Sequence, residues 1–234
     1  MSGRATVVGV GLIGGSIGLA LRERGWHVSG VDPDEARLAM ALGMGVIDEA
    51  GWDPSAEVTF VATPVALITE AVRQALDASP TGLVTDVGSV KASVVAAVEP
   101  VLPRFVGSHP LCGSEKAGVA NACGDLFAGA VCAVTPTEAS DATTVETISK
   151  FWTALGSRVV NLTAANHDSI VARTSHLPRA SQRVGERGAG FTARGRTRFS
   201  RHGFSRHHAA CVGFAVDVAR HRPHQRRGHC PIHR

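Results

Sequence analysis

Short runs of β-branched and small apolar residues alternate along the chain with longer runs that have the 3.6-residue apolar period of helices. Near the start, a strand pattern over residues 6–10 precedes a helix pattern over residues 12–24. A second pair follows over residues 27–32 and 34–42, and Asp34 is placed to cap that helix. This alternation predicts an α/β fold, a mostly parallel sheet with helices on both faces.

The alternation continues through the middle of the chain and then stops. Further strands are predicted over residues 46–47, 57–62, 82–86, 105–107, 130–134 and 158–162, and further helices over 66–78, 91–98, 141–155 and 166–177. Past Pro178 the chain has neither apolar period, and residues 179–234 contain no Leu. That segment is therefore not expected to build a core of its own.

Charge divides the chain at the same place. Residues 1–178 hold 11 Lys and Arg against 18 Asp and Glu, whereas residues 179–234 hold 13 Arg, no Lys and two acidic residues. A basic tail can indicate nucleic-acid binding, but this one also lacks Trp and Tyr and has no RNA-binding signature. No run reaches the roughly 20 apolar residues of a membrane span. We therefore expect neither a nucleic acid nor a membrane as a partner.

A glycine-rich turn lies between the first predicted strand and helix. The run from Gly9 to Gly14 reads G-x-G-x-x-G. In such a turn Gly9 permits the bend, Gly11 lets the backbone approach a pyrophosphate, and Gly14 lets the helix pack closely on the strand. The helix N-terminus at Leu12 and Ile13 then offers N–H groups to the phosphates. The pattern predicts a dinucleotide site.

Asp32 ends the second predicted strand, 23 residues after Gly9. An acidic group there accepts from both hydroxyls of the adenosine ribose and repels a 2′-phosphate, which favours NAD over NADP. The strand–helix context disfavours the competing explanation, a glycine turn that binds nothing. We predict a Rossmann-type, doubly wound NAD-binding domain over residues 1–163. Glycines at motif spacing also argue against a signal peptide, so a cytoplasmic protein is expected.

The glycine turn and five later segments resemble the prephenate dehydrogenase family over residues 4–178, about three quarters of the chain. In chain order the later segments are Thr63-Pro64, Thr85–Lys91 (T-D-x-G-S-x-K), Gly107–Gly113 (G-S-H-P-L-C-G, where the family has G-S-H-P-M-x-G), His167-Asp168 and Ser175–Pro178 (S-H-L-P). The resemblance implies an oxidoreductase of tyrosine biosynthesis that uses NAD. It would convert prephenate, or a close relative such as arogenate, by oxidative decarboxylation. The family also forms homodimers through a helical domain that follows the first.

The resemblance assigns roles to particular residues. His109 would take the proton of the ring hydroxyl, because a neutral imidazole titrates near working pH. Ser89 would hydrogen-bond the same hydroxyl or orient the imidazole, and His176 would line the substrate pocket. Thr63 and Pro64 would belong to the cofactor site. No metal site is predicted, because the five Cys lack the close paired spacing of zinc ligands.

A purely structural role would also explain several of these residues. His109 precedes a proline and would also suit a capping or core position, while His176 would suit the flank of a helix kink at Pro178. Lys91, in the first turn of a predicted helix, is expected to be solvated rather than electrostatically catalytic. Asp168 is expected to be an early helical carboxylate rather than an acid catalyst.

The resemblance ends abruptly at Arg179, where the family has His after S-H-L-P. Residues 164–178 would begin the helical substrate and dimerisation domain, and residues 179–234 would be an aberrant, poorly ordered basic tail. A composition change inside a motif resembles a reading-frame shift in a GC-rich gene. The sequence therefore leaves two functions open: an active dehydrogenase, or an inactive NAD-binding fragment whose helical domain is truncated or aberrant and whose homodimer is in doubt.

Overall fold

Strands and helices alternate through the computed structural model, which describes residues 3–98, 103–112 and 116–173. The strands are β1 (Arg4–Val8), β2 (His27–Val31), β3 (Glu49–Ala50), β4 (Val58–Val61), β5 (Leu83–Asp86), β6 (Gly107–Leu111), β7 (Val131–Thr135) and β8 (Arg158–Asn161). The helices are α1 (Leu12–Arg22), α2 (Glu35–Gly43), α3 (Ile68–Ala78), α4 (Ala92–Val98), α5 (Ala142–Ala154) and α6 (Ala164–Val171).

Five strands form a parallel sheet in the order β3-β2-β1-β4-β5. The chain moves outward from β1 to β2 and β3, then returns to the other side of β1 for β4 and β5. Strand order therefore reverses at β1, where Val7 pairs with Gly30 on one side and Phe60 on the other. Crevices at such reversals, beyond the carboxyl ends of the strands, are the usual ligand sites of α/β sheets. The parallel Rossmann-type prediction is confirmed.

A second, three-stranded sheet has the order β6-β7-β8. Its β6–β7 pair is antiparallel and its β7–β8 pair is parallel. An isolated parallel bridge between Val84 and Phe105 links β5 to the segment that leads into β6. Because of this bridge, β6 starts beside the carboxyl end of β5.

Two apolar clusters lie on opposite faces of the parallel sheet. One face packs β1 and β4 side chains against α1 and α5, with Phe60 and Trp152 in edge-to-face contact. The other face packs alternate side chains of the same strands, including Val8 and Val61, against α3 and α4. Alternate side chains of the buried strands thus supply both cores, which agrees with the predicted helices on both faces.

Two predicted strands are displaced. Val46 and Ile47 form no strand but are buried in the core, and β3 follows at Glu49–Ala50. Their apolar side chains pack against α1 and β2 instead, where Ile47 lies against Gly30. The strand expected over 105–107 begins only at Gly107, since Phe105 contributes just the bridge.

The last predicted helix is observed in part, as α6. The remainder of the expected helical domain, His176 and the basic segment 179–234 lie outside the described residues. Within the described residues no helix is long and apolar enough to cross a membrane.

Candidate functional site

The glycine turn after β1 has two glycines that the fold itself requires. Gly9 adopts φ +88, and its N–H donates to Val31 O at 2.7 Å. A side chain there would be strained and would lie 2.7 Å from Ala62 O. At Gly14 an added Cβ would collide with Gly9 O and lie 2.9 Å from Val7 Cγ1. Both positions serve the packing of α1 on the sheet.

Gly11 differs from these two. It is the N-cap of α1, with φ −79 and no side-chain cap, and an added Cβ would meet none of the described atoms within 4 Å. No contact among the described residues therefore excludes a side chain here. The first N–H groups of α1, which include those of Leu12 and Ile13, have no acceptor within the helix. The turn leaves open space beside these donors, as a pyrophosphate needs.

The Thr63-Pro64 loop lies directly against the glycine turn. Thr63 N would be 3.1 Å from a Cβ on Gly9. Thr63 Oγ1 is buried and has no hydrogen-bond partner among the described residues. Pro64 precedes a short 3-10 turn, Val65–Leu67. A buried hydroxyl without a partner is uncommon, and this one lies on the loop that contacts the glycine turn.

Asp32 lies just beyond the end of β2, and its side chain is only 1% exposed. Oδ2 accepts from Val10 N at 3.0 Å, and Oδ1 accepts from Asp34 N at 3.0 Å. The carboxylate thus connects the glycine turn to the N-terminus of α2. Arg37 Nη1 also donates to both oxygens, at 2.8 and 3.0 Å. Sequence reasoning missed Arg37, although its position on the first turns of a capped helix was a usable signal.

His109 lies within β6 rather than after a strand. It follows Ser108, whose Oγ donates to the carbonyl of Asp86 at 2.7 Å. Because Asp86 is the last residue of β5, His109 stands next to the carboxyl edge of the parallel sheet. Trp152 Nε1 donates to Ser108 Oγ from the other side at 2.9 Å, which fixes this part of β6.

A hydrogen-bonded series connects His109 to α6. His109 Nδ1 lies 2.9 Å from His167 Nε2, and His167 Nδ1 lies 2.8 Å from Asp168 Oδ1. An ionised carboxylate only accepts, so His167 Nδ1 is the donor in the second bond. With His167 neutral, its Nε2 must then accept from His109 Nδ1. This leaves Nε2 of His109 as the nitrogen that can take up a proton.

Asp168 also caps α4, a role that the sequence did not suggest. Its two oxygens accept from Lys91 N at 2.8 Å and Ala92 N at 3.0 Å. Burial alone would raise the pKa of Asp168, but bonds from Ala92, Lys91 and His167 hold it below its usual value. The carboxylate therefore ties the loop between β5 and α4 to the histidine pair.

The expectation that Lys91 is solvated is wrong. The Lys91 and Asp86 side chains are both fully buried and form an ion pair. Lys91 Nζ also donates to Ser108 O at 2.9 Å, and Gly88 N donates to Asp86 Oδ2 at 2.8 Å. Burial lowers the pKa of Lys91, an effect that Asp86 partly opposes. Opposite charges within one T-D-x-G-S-x-K segment were the signal that could have revealed this pair.

The predicted site residues fall into two described groups. Gly9, Gly11, Gly14, Asp32 and the Thr63-Pro64 loop surround the glycine turn. His109 lies in β6, and Ser89 is half-buried in the β5–α4 loop, where its side chain bonds to none of the described residues. His176 is outside the described residues. Among those residues, no group of three His, Cys, Asp or Glu could hold a metal ion.

The strand-order reversal at β1, with the glycine turn above it, places the protein in the Rossmann class of nucleotide-binding domains. The model of the prephenate dehydrogenase nucleotide-binding domain matches residues 17–161. The chain therefore belongs to the prephenate dehydrogenase family.

Individual relatives agree. The chain is 35% identical over 187 residues to prephenate dehydrogenase of Bacillus subtilis, covering 74% of this chain and 50% of that protein. Arogenate dehydrogenase of Synechocystis is similar in structure, with a TM-score of 0.73, 34% identity and coverage of 80% and 70% of the two chains. Prephenate dehydrogenase of Aquifex aeolicus, in complex with hydroxyphenyl propionate and NAD+, gives a TM-score of 0.75, 30% identity and coverage of 80% and 68%.

The chain spans about half the length of most of the curated relatives that it matches. The shared region includes the nucleotide-binding domain.

Proposed function

We propose that the protein binds NAD and carries out the oxidative decarboxylation of prephenate to 4-hydroxyphenylpyruvate. The observation that carries this proposal is the series His109–His167–Asp168 in a chain of this family. The series makes Nε2 of His109 a proton acceptor beside the carboxyl edge of the sheet. A cytoplasmic location and a homodimer stay predictions.

The residues around the glycine turn fit a dinucleotide. The open side of Gly11 and the N-terminal N–H groups of α1 suit a pyrophosphate. Asp32 suits the ribose hydroxyls of NAD, and the unpartnered hydroxyl of Thr63 offers a further contact. When bound, NAD would supply the hydride acceptor for the ring carbon that bears the substrate hydroxyl.

His109 would then act as the general base toward that hydroxyl. Nε2 takes the proton as the carbon–hydrogen bond breaks, and Asp168, acting through His167, favours the cationic pair that results. Loss of CO₂ leaves its electron pair in the ring, and the phenolate oxygen that forms takes a proton back. Ser89, on the neighbouring loop, would contact the same hydroxyl.

The substrate ring carries a pyruvyl side chain in prephenate and an amino-acid side chain in arogenate. The relatives include enzymes named for prephenate and for arogenate. His176 would contact the substrate. Prephenate is the substrate we propose, and arogenate is the alternative to be measured beside it.

A second candidate function is that of an inactive NAD-binding fragment. The observation that favours it is that the family's motif stops at Arg179, where an Arg-rich segment without Leu begins.

Purified protein should be assayed for NADH formation with prephenate and with arogenate, and for NAD binding by calorimetry. His109→Asn should lower kcat by about 10² to 10⁴, the usual effect of removing a positioned general base. NAD affinity should hardly change. Gly43→Ala is the matched control, since Gly43 ends α2 and an added Cβ meets none of the described atoms.

The outcomes separate the two candidates. Turnover that depends on His109 supports the dehydrogenase, and turnover that survives His109→Asn places the base elsewhere. NAD binding without turnover by the wild-type protein supports the fragment. A folded protein that binds no NAD contradicts both.

A further inference from the structure

The carboxylate of Asp32 has no hydrogen-bonding capacity left for a ribose. Its two oxygens offer about four acceptor sites. Oδ2 accepts hydrogen bonds from Val10 N and Arg37 Nη1. Oδ1 accepts hydrogen bonds from Asp34 N and Arg37 Nη1. A ribose that places its hydroxyls on Asp32 must therefore displace one of these donors.

Arg37 is the donor that can leave. Val10 N belongs to the glycine turn and Asp34 N to the cap of α2, so neither moves without the backbone. Arg37 has a flexible side chain that is 40% exposed. Its Nη2 also lies 3.2 Å from Asp34 Oδ2, and that contact can hold the guanidinium beside the subsite after it releases Asp32.

We propose that Arg37 sets how strongly this subsite distinguishes a ribose 2′-hydroxyl from a 2′-phosphate. Bound to Asp32, its guanidinium neutralises the charge that should repel the phosphate and competes with the hydroxyls of NAD. Turned toward the subsite, the same planar group suits a phosphate, which accepts two parallel N–H bonds. Arg37 thus weakens the NAD preference that Asp32 alone would impose. This inference rests on the dinucleotide function proposed above.

The test is a comparison of NAD and NADP affinities by calorimetry, with ADP and adenosine 2′,5′-bisphosphate as minimal probes. Arg37→Gln removes both the positive charge and the planar guanidinium, whereas Arg37→Lys keeps the charge and removes the guanidinium. Arg73→Gln is the matched control, because Arg73 is an exposed arginine of α3 that donates to Ala97 O at 3.2 Å. Low and moderate salt should both be used, since an exposed charge is screened.

Arg37→Gln should tighten NAD, weaken NADP, and raise the ratio of the NADP to the NAD dissociation constant by about tenfold. Arg37→Lys should give an intermediate ratio at low salt, because Lys keeps the charge and loses the two parallel N–H bonds. Arg73→Gln should change the ratio by less than about twofold, because a distant exposed charge is largely screened. The minimal probes should follow the same order.

Normal NAD binding with a ratio unchanged in Arg37→Gln would overturn the role of Arg37 and leave the proposed function standing. An equal change in Arg73→Gln would also overturn it, since it would show a general charge effect. A folded wild-type protein that binds neither dinucleotide would overturn the proposed function and this inference together.

Discussion

Replacing Lys91 by Met should destabilise the protein by about 3–5 kcal/mol, because the carboxylate of Asp86 would stay buried without a counter-charge. The two side chains are fully buried, and Lys91 Nζ bonds both Asp86 Oδ2 and Ser108 O. Asp86 Oδ1 has no hydrogen-bond partner among the described residues. Among the described residues, Gly88 N would then be the one donor left to this carboxylate.

A double variant separates the cost of the unpaired charge from the cost of the lost hydrogen bond. Asp86→Asn combined with Lys91→Met removes both charges and loses mainly the bond from Lys91 to Ser108 O, worth about 1 kcal/mol. The double variant should therefore be more stable than Lys91→Met alone by about 2–4 kcal/mol. Since folded proteins are stable by about 5–15 kcal/mol, the single variant should lie near the edge of folding.

Equilibrium urea unfolding should be followed by far-UV circular dichroism and by Trp fluorescence. Trp152 bonds to Ser108 and reports on the same region. Lys150→Met is the matched control, because Lys150 pairs with Glu146 on the exposed face of α5. Its effect should stay within about 0.5 kcal/mol.

Equal losses in Lys91→Met and in the double variant would refute the reasoning. A loss as small as that of Lys150→Met would refute it too. Either result would mean that the two groups are not held as an ion pair.

Two further predictions concern the glycine turn and Asp168. Gly11→Val should weaken NAD binding by about tenfold or more and lower Tm only through the loss of a favourable N-cap. Gly9→Val should lower Tm much further, because φ +88 excludes a branched side chain. Equal losses of Tm in the two variants would contradict this distinction. The lowered pKa of Asp168 means that its contribution to stability is complete above the unfolded value, about 3.9, and is lost as pH falls through the folded value. Wild-type stability should therefore fall more steeply than that of Asp168→Asn below about pH 4, as measured by urea unfolding across pH, and parallel curves would contradict it.

Features that depend on neighbouring residues could be predicted from the sequence. The strand and helix patterns predicted the parallel sheet, and the structure confirms it. Asp34 caps α2 by accepting a hydrogen bond from Arg37 N, as its position in the sequence indicated. The conformation of Gly9 follows from the turn motif itself. These features are local, because a helix cap or a tight turn is decided within about four residues.

Partners far apart in sequence were decided by tertiary packing alone. His109 meets His167 across 58 positions, and Asp168 caps a helix that starts 76 positions earlier. The family resemblance included the segments of His109 and of His167-Asp168. Neither the apolar period of the sequence nor the spacing of these residues predicts that they are in contact. Strand order brings β6 beside β5 and places α6 against the β5–α4 loop, and only that arrangement creates the hydrogen bonds.

Charges show the same division most clearly. The sequence by itself determined that Asp32 lies at the end of a strand and that Lys91 lies at the start of a helix. Only the tertiary structure decided that Arg37 binds the carboxylate of Asp32. It alone decided that Lys91 is buried in an ion pair with Asp86. The physical reason is that the state of a charge depends on its exposure and its partners, and both are set by the elements packed around it.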